Sequence, residues 1–180
     1  MTEENKSIKK RNNFGRKFAI CKRYIAANGD TNIYLPQRQT LYSAGYDFYC
    51  PEEVIIPSIW KQVVKSLFKF KLPIKPTIVF THVKAYMRPN EFLLLTNRSS
   101  NPWRLGLVCA NGVGIIDRDF ADNPDNDGDI GFSFYNFMPW DVVLHPGDRI
   151  GQGIFQTYLK TEDDSPLIKN RTGGFGSTNK

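Results

Sequence analysis

Five short stretches of the chain carry polar or charged groups that a plain core or loop would not need. They are AGYDF (44–48), NRSS (97–100), NGVGIID (111–117), GDRIGQ (147–152) and RTGGFGST (171–178). NRSS places an arginine and two hydroxyls directly after an apolar run. RTGGFGST combines an arginine, glycines and hydroxyls, a set that could hold a phosphate. NGVGIID adds glycines that let a ligand approach the backbone, and a carboxylate at the end of an apolar strand.

Each stretch also has a simpler interpretation when it is taken alone. AGYDF places Asp47 inside an apolar strand, and GDRIGQ is a turn followed by Arg149 and Gln152. The patterns N-x-x-D and R-S-S occur by chance, P-G-D is a common turn, and a C-terminal segment is often frayed. The order of the five stretches along the chain is therefore more informative than any one of them.

The composition argues against several other kinds of active site. The chain has only two histidines, His82 and His145, and neither lies in a recognisable nucleophile motif. Its three cysteines (Cys21, Cys50 and Cys109) are far apart and include no C-x-x-C pair. This spacing argues against a disulfide framework or a zinc site and favours a reducing cytosol. An enzyme of this composition would work with carboxylates, arginines and a metal, and we expect it in the cytoplasm.

The positive charge of the chain is concentrated at its N-terminus. Residues 1–23 hold eight of the 24 Lys and Arg but only two of the 18 Asp and Glu, which leaves 16 of each in the remainder. We predict a basic, solvated arm over residues 1–20. A non-specific nucleic-acid contact is the alternative, which the absence of interleaved aromatics in the basic run disfavours. No apolar run approaches the ~20 residues of a membrane span, and the charged N-terminus is unlike a secretory signal, so we expect no membrane.

Short runs rich in Val, Ile, Phe and Tyr recur between turn residues along the rest of the chain. They are FAICKRYI, EEVIIP, PTIVFTHVKAYM, EFLLLTN, LVCANGVGII, GFSFYNFM, DVVLHP and RIGQGIFQTYL. Many short strands with frequent turns predict an all-β domain over 21–160, a jelly-roll-like sandwich or barrel of antiparallel strands. The absence of β-α-β alternation argues against a Rossmann-type nucleotide site.

Two segments depart from this strand pattern. Within an insert at 58–76, Ile59, Val63, Leu67 and Phe70 recur at helical spacing beside three lysines, which predicts a short amphipathic helix near 58–70. We expect one face to pack on the sandwich, while the basic face could meet a partner or a membrane. The Asp-rich stretch 121–129 superficially resembles a calcium loop, but its glycine is misplaced and no glutamate follows, so we interpret it as a polar turn.

In their order, the five stretches closely resemble the five motifs of the homotrimeric all-β dUTPases (deoxyuridine triphosphate nucleotidohydrolases). The matches cover residues 44 to 178, about three quarters of the chain, and the third and fifth motifs are the most specific. The insert at 58–76 and the Asp-rich stretch are most similar to versions carried by phages of Gram-positive bacteria. The resemblance implies a homotrimer whose active sites are shared between chains.

The resemblance also implies a role for each matched residue. Asp117 would orient and deprotonate the water that attacks the α-phosphorus, and Phe120 would press on the deoxyribose. The phosphates would be held by Arg98, Ser99, Ser100 and Gln152. Uracil would be bound by a hairpin that contributes Asn111, Gly114, Ile115 and Ile116. Mg²⁺ would be held by the substrate's phosphates and by waters, with Asp47 close to its water shell.

The fifth motif would lie in a C-terminal arm, residues 161–180, that is mobile without nucleotide and closes over a neighbouring chain's site. Arg171 would meet the γ-phosphate and Phe175 would stack on uracil, while Gly176, Ser177 and Thr178 would cradle phosphates. Arg171 stands four residues before Phe175, one fewer than in many members of the family.

The implied activity is Mg²⁺-dependent hydrolysis of dUTP to dUMP and pyrophosphate, which keeps uracil out of DNA and supplies dUMP. The nearest enzymatic alternative is dCTP deaminase, which shares the fold; the glycine-rich fifth motif and NGVGIID argue against it. A different alternative is a regulatory protein that binds a repressor or another protein through the 58–76 insert, with or without hydrolysis.

Overall fold

The computed structural model of the chain describes residues 15–29, 33–69 and 73–166. The strands within these ranges are β1 (Lys17–Ile20), β2 (Tyr46–Tyr49), β3 (Val54–Ile56), β4 (Thr77–Phe80), β5 (Val83–Tyr86), β6 (Glu91–Asn97), β7 (Leu107–Cys109), β8 (Gly114–Asp117), β9 (Gly131–Asn136), β10 (Val142–Leu144) and β11 (Arg149–Thr157). The α-helices are α1 (Lys22–Asn28) and α2 (Ile59–Lys69). A π-helical turn spans Asn101–Leu105 and a 3-10 turn spans Arg118–Phe120.

The strands pair antiparallel throughout and form a sandwich. One sheet has the order β2-β11-β6-β8, a second has the order β4-β9-β7, and β1-β5 and β10-β3 form two further pairs. The two larger sheets face each other through aromatic and aliphatic side chains, with the rings of Phe48 and Phe132 5.4 Å apart. The predicted all-β class is confirmed, and the described strands form separate sheets rather than a closed barrel.

Two glycines of β11 allow this close contact between the sheets. A Cβ atom on Gly151 would lie 2.1 Å from Cε1 of Phe132, and one on Gly153 would lie 2.8 Å from Cε2 of Phe48. Real Cβ atoms do not approach other atoms so closely, so the core aromatics require glycine at both positions. Because successive residues of a strand alternate faces, Gln152 between them points to the outer face of the sheet.

The N-terminal part of the domain differs from its prediction. FAICKRYI, predicted as one strand, is β1 followed by Cys21 and helix α1, which is capped at its C-terminus by Gly29 with φ 74°. β1 pairs with β5, and the ring of Phe18 lies 5.3–5.4 Å from those of Tyr46, Phe48 and Phe155. The sandwich therefore includes the last four residues of the segment 1–20 that the charge pattern assigns to a basic arm; residues 1–14 lie outside the described ranges.

Two predicted strands are each divided in the structure. PTIVFTHVKAYM forms β4 and β5, with His82 between them in the left-handed region at φ 58°. LVCANGVGII forms β7 and β8, which pair with β9 and β6 respectively. The third motif therefore turns from one sheet into the other, rather than forming a hairpin between two paired strands.

Helix α2 confirms the helix that the spacing predicts near 58–70. Its N-terminus is anchored where the backbone N–H of Ser58 donates to Asp141 Oδ1 at 2.9 Å and Lys61 Nζ lies 2.9 Å from Oδ2. Ile59 and Val63 are half-buried, as expected for a packed face. Leu67 was expected on that face but is 71% exposed, and Phe70 lies outside the described ranges.

The three cysteines are free and buried. Burial raises the pKa of the Cys109 thiol to about 11, and burial with nearby aspartates raises that of Cys21 to about 12. A thiol with so high a pKa is protonated at neutral pH and is a poor nucleophile. In the described ranges, no helix is long and apolar enough to cross a membrane.

Candidate active site

The first and fourth motifs meet where β2 pairs with β11. Gln152 lies opposite Asp47 on one side and opposite Thr96 of β6 on the other, so the three side chains share the outer face of the four-stranded sheet. Oε1 of Gln152 lies 2.3 Å from the place that a Cβ on Gly45 would occupy. The glycine of AGYDF therefore makes room for the Gln152 side chain.

Asp47, Arg98, Arg149 and Gln152 form what we call the arginine cluster. Arg149 Nη1 donates to Asp47 Oδ2 at 3.2 Å, and Arg98 Nε lies 3.7 Å from Oδ1 of the same carboxylate. Arg98 Nη1 also donates to the backbone carbonyl of Arg149 at 3.1 Å. Two guanidinium groups against one carboxylate leave an excess of positive charge, which suits a polyanionic ligand.

A buried amide anchors the segment that carries NRSS. Asn101 is 1% exposed, and its Nδ2 donates to Asn97 Oδ1 at 2.8 Å and to the carbonyl of Ile150 at 2.6 Å. Asn97 Nδ2 in turn donates to the carbonyl of Leu107 at 2.8 Å. Ser99 and Ser100 lie between these two asparagines, next to the arginine cluster; Ser99 is exposed and Ser100 half-buried.

Two contributors to this end of the sheet were missing from the predicted set of site residues. From the sequence, Arg149 is only a residue that follows a turn, although it is the group that binds Asp47 most closely. Asn101 follows NRSS directly, but nothing in its neighbours along the chain shows that its amide reaches β11. An arginine just after a P-G-D turn, in register with AGYDF, is the signal that could have revealed Arg149.

The third motif begins in a tight turn between β7 and β8. The backbone N–H of Gly112, at φ 69°, donates to the Cys109 carbonyl at 3.1 Å, and that of Val113 donates to Asn111 at 2.7 Å. Asn111 is exposed, and Ile115 is 52% exposed on the outer face of the sheet. A Cβ on Gly114 would lie 3.1 Å from Cβ of Leu95, so close strand packing also accounts for this glycine.

The structure does not bring Asp117 together with the arginine cluster of the same chain. Asp117 is exposed and lies opposite Phe92 on β6, six residues before Arg98. At ~3.3 Å per residue this separates the two positions by about 20 Å along the strand direction. Asp117 and the arginine cluster of one chain therefore lie at opposite ends of the outer face of one sheet.

Phe120 follows Asp117 in the 3-10 turn and is buried, with 5% of its surface exposed. A side chain packed into the core can contact a ligand only as a fixed surface and not as a mobile group. Beyond it, the stretch 121–129 forms turns, as its composition predicts, but several of its residues are buried. Asn123 is 5% exposed there, and Asp122 and Asp127 both bind the ammonium of the buried Lys84.

The described residues offer little to a directly bound metal ion. Within them, no group of three or more His, Cys, Asp or Glu side chains could hold one. Asp47 already accepts a hydrogen bond from Arg149, which leaves it suited to a contact through water rather than to direct ligation. This donor set fits Mg²⁺ held mainly by the oxygens of a bound phosphate ester and by waters. Arg171, Phe175, Gly176, Ser177 and Thr178 lie outside the described residues.

An all-β sandwich with an arginine-and-hydroxyl cluster and a separate exposed carboxylate has the groups that suit binding of a phosphate ester. The family model described as dUTPase matches residues 31–179 of this chain. The deoxyuridine 5'-triphosphate nucleotidohydrolase of Lactococcus lactis subsp. lactis is 38% identical over 164 residues, which cover 91% of this chain and 97% of the relative. The chain therefore belongs to the dUTPase family.

Solved structures agree with this assignment. The dUTPase from Streptococcus mutans matches with a TM-score of 0.65 and 36% identity, covering 83% of this chain and 99% of that one. A dUTPase from phage phi11 of Staphylococcus aureus matches with a TM-score of 0.60 over 86% of this chain and 98% of that one. The second likeness, at 16% identity, concerns the fold alone.

Proposed function

We propose that this chain hydrolyses dUTP to dUMP and pyrophosphate, and so keeps uracil out of DNA and supplies dUMP. The observation that carries the proposal is the arginine cluster, in which Arg98 and Arg149 flank Asp47 on a sheet that also bears the exposed Asp117. Membership of the dUTPase family and a 38% identical relative named as a deoxyuridine 5'-triphosphate nucleotidohydrolase support it.

The arginine cluster binds the triphosphate. Arg98 and the hydroxyls of Ser99 and Ser100 donate to phosphate oxygens, and Gln152 adds an amide donor from β11. Arg149 acts through Asp47: it holds the carboxylate at 3.2 Å and so fixes its orientation toward the ligand's water shell. Mg²⁺, when bound, withdraws charge from the phosphates and makes the α-phosphorus easier to attack.

Asp117 is the general base of the proposed reaction. Its carboxylate orients a water in line with the α-phosphorus and takes one proton from it as the new P–O bond forms. The bond from the α-phosphorus to the bridging oxygen breaks, and pyrophosphate leaves. An exposed carboxylate at the end of β8 suits this task, because water can reach it.

The third and fifth motifs supply the selectivity of the proposed site. Backbone groups of the segment from Asn111 through Gly114, Ile115 and Ile116 bind uracil, and buried Phe120 forms the floor beneath the deoxyribose. Residues from the C-terminal arm complete the site over the bound nucleotide. Arg171 meets the γ-phosphate, Phe175 stacks on the base, and Gly176, Ser177 and Thr178 surround the phosphates.

The working form in this proposal is a homotrimer with shared sites. Ile115 is 52% exposed on the outer face of the four-stranded sheet, where half-buried Leu94 and Ile154 lie in register with it. An apolar face of this kind favours cover by another chain. Because the two parts of the site occupy opposite ends of that face, a head-to-tail ring joins Asp117 of one chain to the arginine cluster of the next.

Pyrophosphate release from dUTP, dTTP, UTP and dCTP, each with and without Mg²⁺, tests the base, sugar and metal requirements together. We expect Mg²⁺-dependent turnover of dUTP and little turnover of the other three. UTP hydrolysis as fast as that of dUTP would contradict the role of Phe120. Ammonia release from dCTP would instead identify a deaminase on the same fold.

We place the enzyme in the cytoplasm, and in that of the bacterial host if a phage encodes the chain. Three buried free thiols suit a reducing compartment. Nucleotide synthesis and DNA replication take place there as well, so a dUTP-hydrolysing enzyme would meet its substrate directly.

A second, compatible function is the binding of a regulatory protein, such as a repressor, through the 58–76 insert. The observation that favours it is an apolar stripe on α2 that faces solvent. Trp60, Val64, Leu67 and Phe68 are 55%, 51%, 71% and 82% exposed. Aromatic residues in such a position are typical of protein interfaces.

Leu67→Glu combined with Phe68→Glu should abolish capture of a partner from host extracts and leave kcat/KM for dUTP unchanged. Ile55→Glu, which adds one negative charge at an exposed position on β3, is the control for added surface charge. Loss of dUTP hydrolysis in the α2 variant, or equal capture by both variants, would argue against an independent binding surface.

A further inference from the structure

The turn that follows Asp117 is hydrogen-bonded near both of its ends to one segment, strand β5 together with Met87, the residue that follows it. At the start of the turn, Arg118 Nε donates to the carbonyl of Met87 at 3.3 Å. Beyond its end, Lys84 Nζ donates to Asp122 Oδ1 at 2.7 Å, and the Tyr86 hydroxyl lies 3.0 Å from both oxygens of that carboxylate. The segment between these attachments carries Phe120.

Lys84 is a buried cation shared by two aspartates of the same loop. It is 1% exposed, and its ammonium also donates to Asp127 Oδ1 at 2.6 Å. Burial by itself would lower the pKa of Lys84, but the hydrogen bonds to Asp122 and Asp127 outweigh it and raise that pKa above the ordinary value. The lysine is therefore charged, and its single positive charge lies between the two loop carboxylates.

The backbone of the loop is shaped around this cation. Asp122 and Asp127 lie in the left-handed region at φ 58° and 59°, and the N–H of Asp122 donates to the carbonyl of Asp127 at 3.3 Å. Aspartate adopts this conformation more readily than most non-glycine residues, and the shared ammonium contacts both aspartates that do so in this loop.

The same loop restrains the backbone of Phe120 directly. Asn123, which is buried, donates from Nδ2 to the Phe120 carbonyl at 2.7 Å. A Cβ on Gly128 would lie 2.8 Å from that carbonyl oxygen, so the loop lies flat against the turn. Because Asp122 lies only two residues after Phe120, a movement of Asp122 would also move Phe120.

We propose that Lys84 and Tyr86 are positioning residues that set the place of Phe120 and thereby the preference for a deoxyribose over a ribose. The inference rests on the proposed function, in which Phe120 forms the floor beneath the sugar. Neither Lys84 nor Tyr86 touches the nucleotide; both act through Asp122. If Phe120 is displaced, the site has room for a 2′-hydroxyl. The preference for deoxyribose over ribose should therefore change at a smaller displacement than the hydrolysis step does.

The test measures the ratio of kcat/KM for dUTP to that for UTP in three variants of the full chain. Tyr86→Phe removes only the hydroxyl that binds Asp122. The triple variant Lys84→Met, Asp122→Asn, Asp127→Asn removes the three charges together and leaves no buried charge unpaired. His82→Asn is the matched control, because it loses the contacts of His82 with Asp129 (3.0 Å) and Tyr24 (4.0 Å) at the far end of the same loop. Asparagine also tolerates the φ of 58° at that position.

We expect the ratio to fall roughly ten-fold in Tyr86→Phe and further in the triple variant, the size of effect that one shaped contact has on specificity. His82→Asn should lower the melting temperature and keep the wild-type ratio. Folded Tyr86→Phe protein with the wild-type ratio would overturn the proposal, even if the triple variant does not fold. An equal fall in His82→Asn would overturn it too, because general loosening of the loop would then explain the effect. A wild-type enzyme that does not prefer dUTP would count against the proposed function instead.

Discussion

Asp117→Asn is expected to lower kcat for dUTP hydrolysis by roughly 10²–10⁴-fold, the usual contribution of a general base. The affinity for dUTP should change little, because binding depends on the arginine cluster and on backbone groups. Folding should be unaffected, since Asp117 is exposed and asparagine preserves the backbone pairing with Phe92. Single-turnover pyrophosphate release gives the rate, and calorimetric titration with dUTP gives the affinity.

The control for this variant is Asp125→Asn, which removes an exposed carboxylate from the loop beyond the turn. It should retain wild-type kcat, which separates a loss of the base from a general change in charge. Asp119→Asn distinguishes between the two aspartates of the IIDRDF segment. Full activity in Asp117→Asn together with loss of activity in Asp119→Asn would show that the general base is Asp119 and not Asp117.

The fold class and most strands were predictable because their signals are local. Short apolar runs between turn residues mark β6 and β11, the alternation of Phe132 and Phe134 marks β9, and the order of five motifs identifies the candidate site residues. Helix α1 was predicted as a strand, because FAICKRYI is compatible with both structures when it is taken alone. Contacts with residues distant in sequence favour the helix: the N–H of Lys22 donates to Asp127 Oδ2 at 2.5 Å, and Tyr24 stacks on His82.

The parts of the candidate site that the sequence did not reveal depend on partners far away along the chain. The Asp-rich stretch has the composition of a polar turn, and nothing within it shows that Lys84, 38 residues before Asp122, is buried between two of its carboxylates. Arg149 and Asp47 are 102 residues apart and meet only because β11 pairs with β2. Local patterns report which groups are present, whereas strand register decides which of them can act together.

Strand register also predicts that two inactive variants should restore activity to each other. Arg98→Ala removes phosphate binding at one end of the outer face, and Asp117→Asn removes the base at the other, about 20 Å away. In a 1:1 mixture refolded from denaturant, a shared site draws its arginine cluster from one variant and its base from the other with a probability of one half each. We therefore expect roughly a quarter of wild-type activity from two proteins that are nearly inactive alone.

The chain that carries both substitutions, refolded with an equal amount of wild type, distinguishes shared sites from sites within one chain. Shared sites need an intact contribution from each of two chains and should retain roughly a quarter of wild-type activity per chain, whereas self-contained sites retain about half. Mixing the two single variants without denaturation is the control, since subunits that do not exchange should give no recovery. Half activity with the double variant, and none from the complementary pair, would show that one chain folds Asp117 and Arg98 into the same site. That result would also remove the reason for a head-to-tail ring, because the separation of the two ends of the sheet is what makes a neighbouring chain necessary.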